Sequence, residues 1–425
     1  MRRKIGVILF SVLAGLFFVS LAVSGAADKK KKDDLYRQVG LFSDTLAIIE
    51  EEYVDEPAPK DLIYGALKGM LSSLDPHSQF MDPDTYNELK VDTQGKFGGL
   101  GIEITIKDGL LTVVTPIEDT PAWRAGLKAN DRIVKINDEL TRDMELTDAV
   151  KKLRGKPKEA VNITILRESE KALLEFKIVR DIIKIKDIKE AKILEDGVGY
   201  IRLVEFRENT QQEMNSVLEK LSKEGMNSLI LDLRNNPGGL LDTAAMVAGK
   251  FIQKGKKIVY TKGRKSGQDL EFVSSESRPI LDIPMVVLIN EGSASGSEIV
   301  AGCLQDYKRA IIVGVKSFGK GSVQTVIPLR DGSALRLTTA KYFTPLGNQI
   351  HGKGVIPDIA VEAGKIEGAN STEAQLKDAQ QIFQEIERKE NIGKQDKQAD
   401  YKKDNQLSRA IDILKAAKFY KGNKQ

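Results

Sequence analysis

An α/β fold built from several domains is what this sequence of 425 residues predicts, and three observations carry the prediction. Residues 196–362 alternate continuous apolar strands with helical stretches, the pattern of a buried parallel sheet with crossover helices. Residues 94–182 change to short β-rich runs and glycine turns around one helical stretch at 145–153. Helical periodicity flanks both, over 35–92 and again over 370–425. Hydrophobic residues make up 41% and charged residues 30%, enough to bury real cores. That excludes a mostly disordered, collagen-like or polytopic membrane chain.

From the start of the chain, Arg2, Arg3 and Lys4 precede an uncharged run from Ile5 to Ala27, followed by the charged run Asp28–Asp34. A basic start, an apolar stretch and the small residues Ser24, Gly25 and Ala26 describe an export signal over 1–27. The run is also nearly long enough to span a bilayer, at about 20 residues. Cleavage after Ala26 and retention as an anchor in the cytoplasmic membrane both stay open. Either way the rest is expected outside the cytoplasm, in a periplasmic space. In 35–92, Phe42, Leu46, Ile49 and Tyr53 recur at helical spacing, as do Leu62, Ala66, Met70 and Leu74.

Beyond the β-rich region the expected order is strand Val198–Phe206, helix 209–224, strand Ser228–Leu233 and helix 240–253. Strands near 257–261 and 285–290, a helix from 295 and a strand at 310–315 follow. In the tail, Leu376, Ala379, Phe383 and Ile386 form one stripe behind a Thr372/Gln375 capping box. A polar linker, 393–404, leads to a second stripe of Leu407, Ile411 and Leu414.

Composition narrows the chemistry. With 65 basic and 61 acidic residues, the net charge of +4 gives no nucleic-acid footprint. The single cysteine, Cys303, excludes an intramolecular disulfide framework and a thiolate metal cage. Two histidines, His77 and His351, leave little material for a metal site.

Three loops hold the candidate residues. In MVVLINEGSASGSEIVAG, Ser295 stands at a helix start with Glu298 three residues on. Locally that is a capping box. The same geometry puts a serine among free N–H groups and a positive dipole, where an oxyanion is stabilised. Spacing alone does not choose among Ser293, Ser295 and Ser297. A serine nucleophile needs a base, and neither histidine has an evident carboxylate to orient it. A lysine base must fall from about 10.4 toward 7, roughly 4–5 kcal/mol of desolvation. Lys320 has the setting for that: Phe318, Gly319, Gly321 and Val323, with no acid nearby in sequence.

Gly314–Lys320 also reads as a near P-loop. Gly321 stands where magnesium would need Ser or Thr, however, and strands rather than a helix follow. The third loop, LRNNPGG, follows an apolar strand, and its tandem Gly238 and Gly239 allow close backbone approach to a ligand.

Together, DLRNNPGG, NEGSASGSEIVAGCLQD, GVKSFGKGSVQ and HGKGVIPDI resemble, in order and spacing, the C-terminal processing peptidases, also called tail-specific proteases, of the S41 serine peptidase family. The resemblance implies a crotonase/ClpP-like α/β protease core over 183–365. It implies Ser295 as nucleophile, Lys320 as general base and Gln324 as the group that holds the lysine. Gly238 and Gly296 match the oxyanion-hole positions, the former less securely because Gly239 is adjacent. Asp232, Arg234 and Glu298 match supporting polar positions.

The region 94–182 resembles an inserted PDZ domain through GGLGIEI, TPAWRAGLKANDRIVKIND and ELTDAVKKLRG. A PDZ domain captures a C-terminal carboxylate in backbone N–H groups. Gly99, Leu100 and Gly101 fit that loop, Leu146, Val150 and Leu153 the groove wall, and Arg154 a place to sense the bound tail. The expected protein is an exported serine endopeptidase that binds the tails of protein substrates and needs no metal or organic cofactor. A PDZ scaffold with an inactive protease domain is the rival, and a homo-oligomer, most simply a dimer, is expected from 35–92 and 370–425.

Overall fold

A computed structural model describes residues 34–167, 170, 172–364 and 404–422. The apolar leader at 1–27 and the stripe from Leu376 to Ile386 lie outside the described residues. The chain divides into two compact units, one ending at Asp82 and the other beginning at Pro83.

The first unit contains a helix over 34–52, the helix Pro59–Ser72 and the short strand Gln79–Met81. Pro59 opens its helix where a missing N–H costs nothing. The Tyr64 ring meets Phe80 edge-on at 4.7 Å. Leu35, Tyr36, Val39, Leu41, Phe42 and Ile48 on the first helix are all exposed.

In the second unit, the helix Pro83–Gln94 leads into the β-rich region. Strands Ile102–Lys107, Leu110–Pro116, Arg132–Ile136, Ala160–Arg167 and Ala172–Val179 pair antiparallel in that order. Their inward residues, among them Val113, Ile133, Ile163 and Ile165, close over Ala149 and Leu153 of the helix Leu146–Leu153. Lys96–Gly99 pairs with Asp181–Lys184, so the module's entry and exit run side by side.

The mostly parallel sheet follows the expected order. Val198–Leu203, Ser228–Asp232, Met285–Ile289, Ile311–Gly314 and Ile359–Ala360 are parallel, with Ile188–Ile193 antiparallel at one edge. Side chains alternate between its faces as strand geometry requires. Leu229, Leu231, Val287 and Ile289 pack with the helices Thr210–Lys223, Leu241–Gly249 and Gly296–Asp306. Ile230, Val286 and Leu288 pack on the opposite face with Leu407, Ala410, Ile411 and Leu414 of the helix Asn405–Gly422.

Two expectations change. Lys257–Gly263 is not a strand of the parallel sheet. It pairs antiparallel with Ala334–Phe343 and Glu271–Val273, and Ala334–Phe343 pairs in turn with Ser322–Pro328. An apolar run marks a buried strand without naming its partner. The second tail stripe, expected to build an oligomer, is buried within the chain itself. Among the described residues no helix is long and apolar enough to cross a membrane.

Candidate active site

The strand Met285–Ile289 delivers the chain to a tight turn, and the helix Gly296–Asp306 leaves it. Ser295 sits at that junction with φ 51° and ψ −112°, a conformation costly for a residue with a Cβ. The geometry separates the three serines. Ser293 and Ser297 are fully buried and donate to the carbonyls of Leu233 and Asn236, both 60 or 61 residues away in the chain. Ser295 instead lines a cavity of about 400 Å³, shared with Lys320, Gln324, Gly238, Gly239, Tyr342 and Arg336.

Glu298 organises this corner. Its buried carboxylate accepts the Ser295 and Lys320 backbone N–H groups, each at 2.9 Å, through one oxygen. The other oxygen accepts the Ser317 hydroxyl at 2.6 Å and the Gly319 N–H at 2.7 Å. Burial pushes its pKa up, and these four donors pull against that. The capping residue thus ties the serine's turn to the lysine's loop.

Lys320 is half-buried, and burial lowers its pKa. The Arg336 cation lowers it further, and Glu298 opposes both without touching the ammonium. Phe318, expected beside the lysine, is exposed. The apolar lining comes instead from Leu89, Ile299, Val323 and Val326. Tyr342, fully buried, donates its hydroxyl to the Lys320 carbonyl and also contacts the Ser295 side chain. Burial, the larger cause, and the Glu298 charge raise its pKa, so it stays a neutral donor. No local pattern in the sequence points to Tyr342, which lies 22 residues from the lysine, on the strand Ala334–Phe343.

Three expectations differ. The Gln324 amide donates to the Ser322 hydroxyl at 2.9 Å and to its carbonyl, rather than engaging Lys320. No hydrogen bond joins Ser295 to Lys320 among the described residues, although both line one cavity. The Gly238 N–H is held by Asn236 Oδ1 at 2.9 Å, so it is not free for an oxyanion in this arrangement. Gly238 has φ 104°, and a Cβ there would fall 2.6 Å from the Ser295 Cβ, so only glycine fits. Gly296 begins the helix and also packs beneath Phe206.

Asn236 is a residue the sequence reading passed over. Fully buried, it receives the Gly238 N–H, donates to the Leu203 carbonyl and accepts Ala294 N–H and Ser297 through its own carbonyl. Asp232 and Arg234 lie just behind. Arg234 forks onto Asp232 and onto Asp404 at the start of the last helix, and Tyr200 donates to Asp232 at 2.8 Å.

Comparison with known proteins matches residues 197–361 to peptidase family S41, 112–167 to a PDZ domain and 20–85 to the "Activating protease CtpB N-terminal domain". A carboxy-terminal-processing protease of Bartonella bacilliformis is 43% identical over 356 residues, covering 82% of this chain and 81% of that protein. The chain belongs to peptidase family S41. Among solved structures, the photosystem II D1 C-terminal processing protease is 30% identical, with a TM-score of 0.44 over 76% of this chain and 92% of that one.

This S41 peptidase has a groove on its β-rich, PDZ-matching module, where a PDZ ligand site is expected. Phe97, Gly99, Leu100, Gly101, Ile102, Val150, Leu153 and Arg154 line it. Leu146, expected on the wall, does not, and is partly exposed at the start of its helix. Gly101 has φ 78°, and a Cβ there would strike Thr120. The Leu100 and Gly101 carbonyls accept the Ala122 and Ile117 N–H groups, which fixes the loop. The Leu100 side chain itself is buried in the module's core. The Arg154 guanidinium lies 4.5 Å from the centre of the Phe97 ring.

Proposed function

We propose that this serine-type peptidase is an exported endopeptidase that binds the C-terminal tails of protein substrates in its PDZ groove and cleaves them with Ser295 and Lys320. The observation that carries the reading is a half-buried lysine with a lowered pKa, no carboxylate on its ammonium, and a strained serine in the same cavity. Ser295 Oγ attacks the scissile carbonyl as its proton passes to Lys320 Nζ. The lysine then returns a proton to the leaving amine, and water releases the acyl group by the same route. The Gly296 N–H and the tandem-glycine loop supply the oxyanion donors. Gln324, anchored on Ser322, positions the lysine once substrate draws the site together.

The unjoined dyad and the Asn236-held Gly238 suit a resting state that tail binding rearranges. The exposed apolar residues of the helix over 34–52 suit pairing with a second copy, which leaves the tail helix out of that interface. An apolar leader at 1–27 directs export, with or without a retained anchor.

The test is proteolysis of an unstructured protein substrate. Ser295→Ala, Lys320→Ala and Lys320→Arg should each lower turnover at least about a thousandfold, since a guanidinium does not deprotonate at working pH. His77→Ala and His351→Ala should leave it intact. Loss of turnover in either folded histidine variant overturns the lysine mechanism. No cleavage or active-site labelling by the wild type at all would favour an inactive PDZ scaffold.

A further inference from the structure

The cleft holds a cation that the reaction described above does not use. Arg336 lies on Ala334–Phe343 and lines the same cavity as Ser295 and Lys320. The register places it opposite Val326, while Thr338 stands opposite Gln324. Val326 and Gln324 both line the cavity, and Thr325 between them does not. Arg336 therefore stands on the cleft face of the sheet as a diagonal cross-strand neighbour of Gln324, about 7–8 Å away.

Apart from Lys320, the other charged groups on the wall are already matched. Arg207, with Asp92 and Glu205 beside it, binds both of these and the buried Asp187. The Arg336 side chain has no hydrogen bond or ion pair among the described residues. It is only partly exposed, and a guanidinium stays charged at any working pH. Left facing Lys320, it also makes the lysine's charged form less favourable, which agrees with the lysine's role. A partly desolvated, planar, five-donor cation beside a peptide cleft matches a carboxylate offered in the plane of its fork.

We propose that Arg336 is a specificity residue that binds an acidic side chain of the substrate within about two or three residues of the scissile bond. This rests on the protease reading. It adds a second recognition element, one that reads the cut site as the PDZ groove reads the tail. The occupant is a glutamate or aspartate side chain and not the carboxylate newly made by cleavage. A substrate strand lying along the cleft presents every second side chain to the Arg336 face before any bond is cut.

The experiment uses a peptide with a fixed tail and a single cut site, in which each residue flanking that site is in turn Gln, Glu or Lys. With the wild-type protein, one position should show kcat/KM at least about tenfold higher for Glu than for Gln. Arg336→Gln should bring that ratio to about one. Arg336→Glu should reverse the order, so that Lys is preferred at the same position. Because each ratio is internal to one variant, a general loss of rate does not disturb it.

Where a variant turns over too slowly, binding of the same peptides to the Ser295→Ala protein, with and without Arg336→Gln, reads the same ratio. Absence of any Glu preference in the wild type, or its survival in Arg336→Gln, overturns the proposal. So does Arg336-dependent binding only of product peptides ending at the cut, which would assign the cation to the new carboxylate. Wild type that cuts none of the peptides counts instead against the protease reading, and the binding measurement still decides on Arg336.

Discussion

The cations on the two sides of the cleft have opposite surroundings. On one side Arg207 and Arg234 are enclosed by carboxylates. Arg207 has Asp187, Glu205 and Asp92, and Arg234 has Asp232 and Asp404. Both hold distant pieces of chain together, since Arg207 also binds the Asp92 carbonyl next to the PDZ entry and Arg234 docks the last helix. On the other side Lys320 and Arg336 face the cavity with no acid in contact among the described residues. Arg154, over Phe97 in the PDZ groove, is a third cation of that kind. A buried cation with a carboxylate is a fixed joint, and one without a carboxylate is available to a proton or a substrate.

Giving Lys320 a partner should break this contrast most severely. Gln324→Glu places a carboxylate on the cavity wall, stabilises the ammonium and raises its pKa. One to two pKa units would leave about ten- to a hundredfold less neutral lysine at pH 7, with recovery as the pH rises. A pH–rate profile checks it, and a wild-type rate at neutral pH would show that the lysine is not the base.

The PDZ groove offers the next contrast. A substrate ending in an amide should be cut at least about tenfold more slowly than its free-acid twin, because donors to a charged group lose their acceptor. Equal rates would remove the tail carboxylate from recognition and leave the dyad untouched.

On the paired side, Asp404→Asn should cost about 1–3 kcal/mol of stability in a denaturant titration. Burial opposes ionisation of Asp404, but the Arg234 bonds prevail and hold its carboxyl below the usual range. Its contribution is therefore complete above the unfolded pKa near 4 and lost as the pH falls through the lower folded value. The gap between wild type and Asp404→Asn should close below about pH 4.

The smallest effect is expected from Arg336→Gln on the pH profile with a neutral substrate. Removing a neighbouring cation raises the lysine's pKa, so the rising limb should move to higher pH by less than about one unit. A shift to lower pH would mean that Arg336 does not act on Lys320 through charge.

The alternation of apolar runs and helical periods from 196 to 362 was enough to predict the parallel sheet, because side-chain period and strand burial are local properties. The turn at Ser295, the glycines at 238 and 239, and the absence of an acid close to Lys320 in sequence were legible for the same reason. The S41 resemblance rests on those same loops. What the sequence did not settle required contacts between segments far apart in the chain. The three serines differ only in what their hydroxyls meet, and Leu233 and Asn236 lie 60 or 61 residues away from the serines they bind. Tyr342 and Arg336 reach the cavity through strand register, and the Leu407–Leu414 stripe reads the same whether it covers its own sheet or a partner's. Composition and spacing determined which groups could do the chemistry; tertiary packing decided which cations were neutralised and which were left to act.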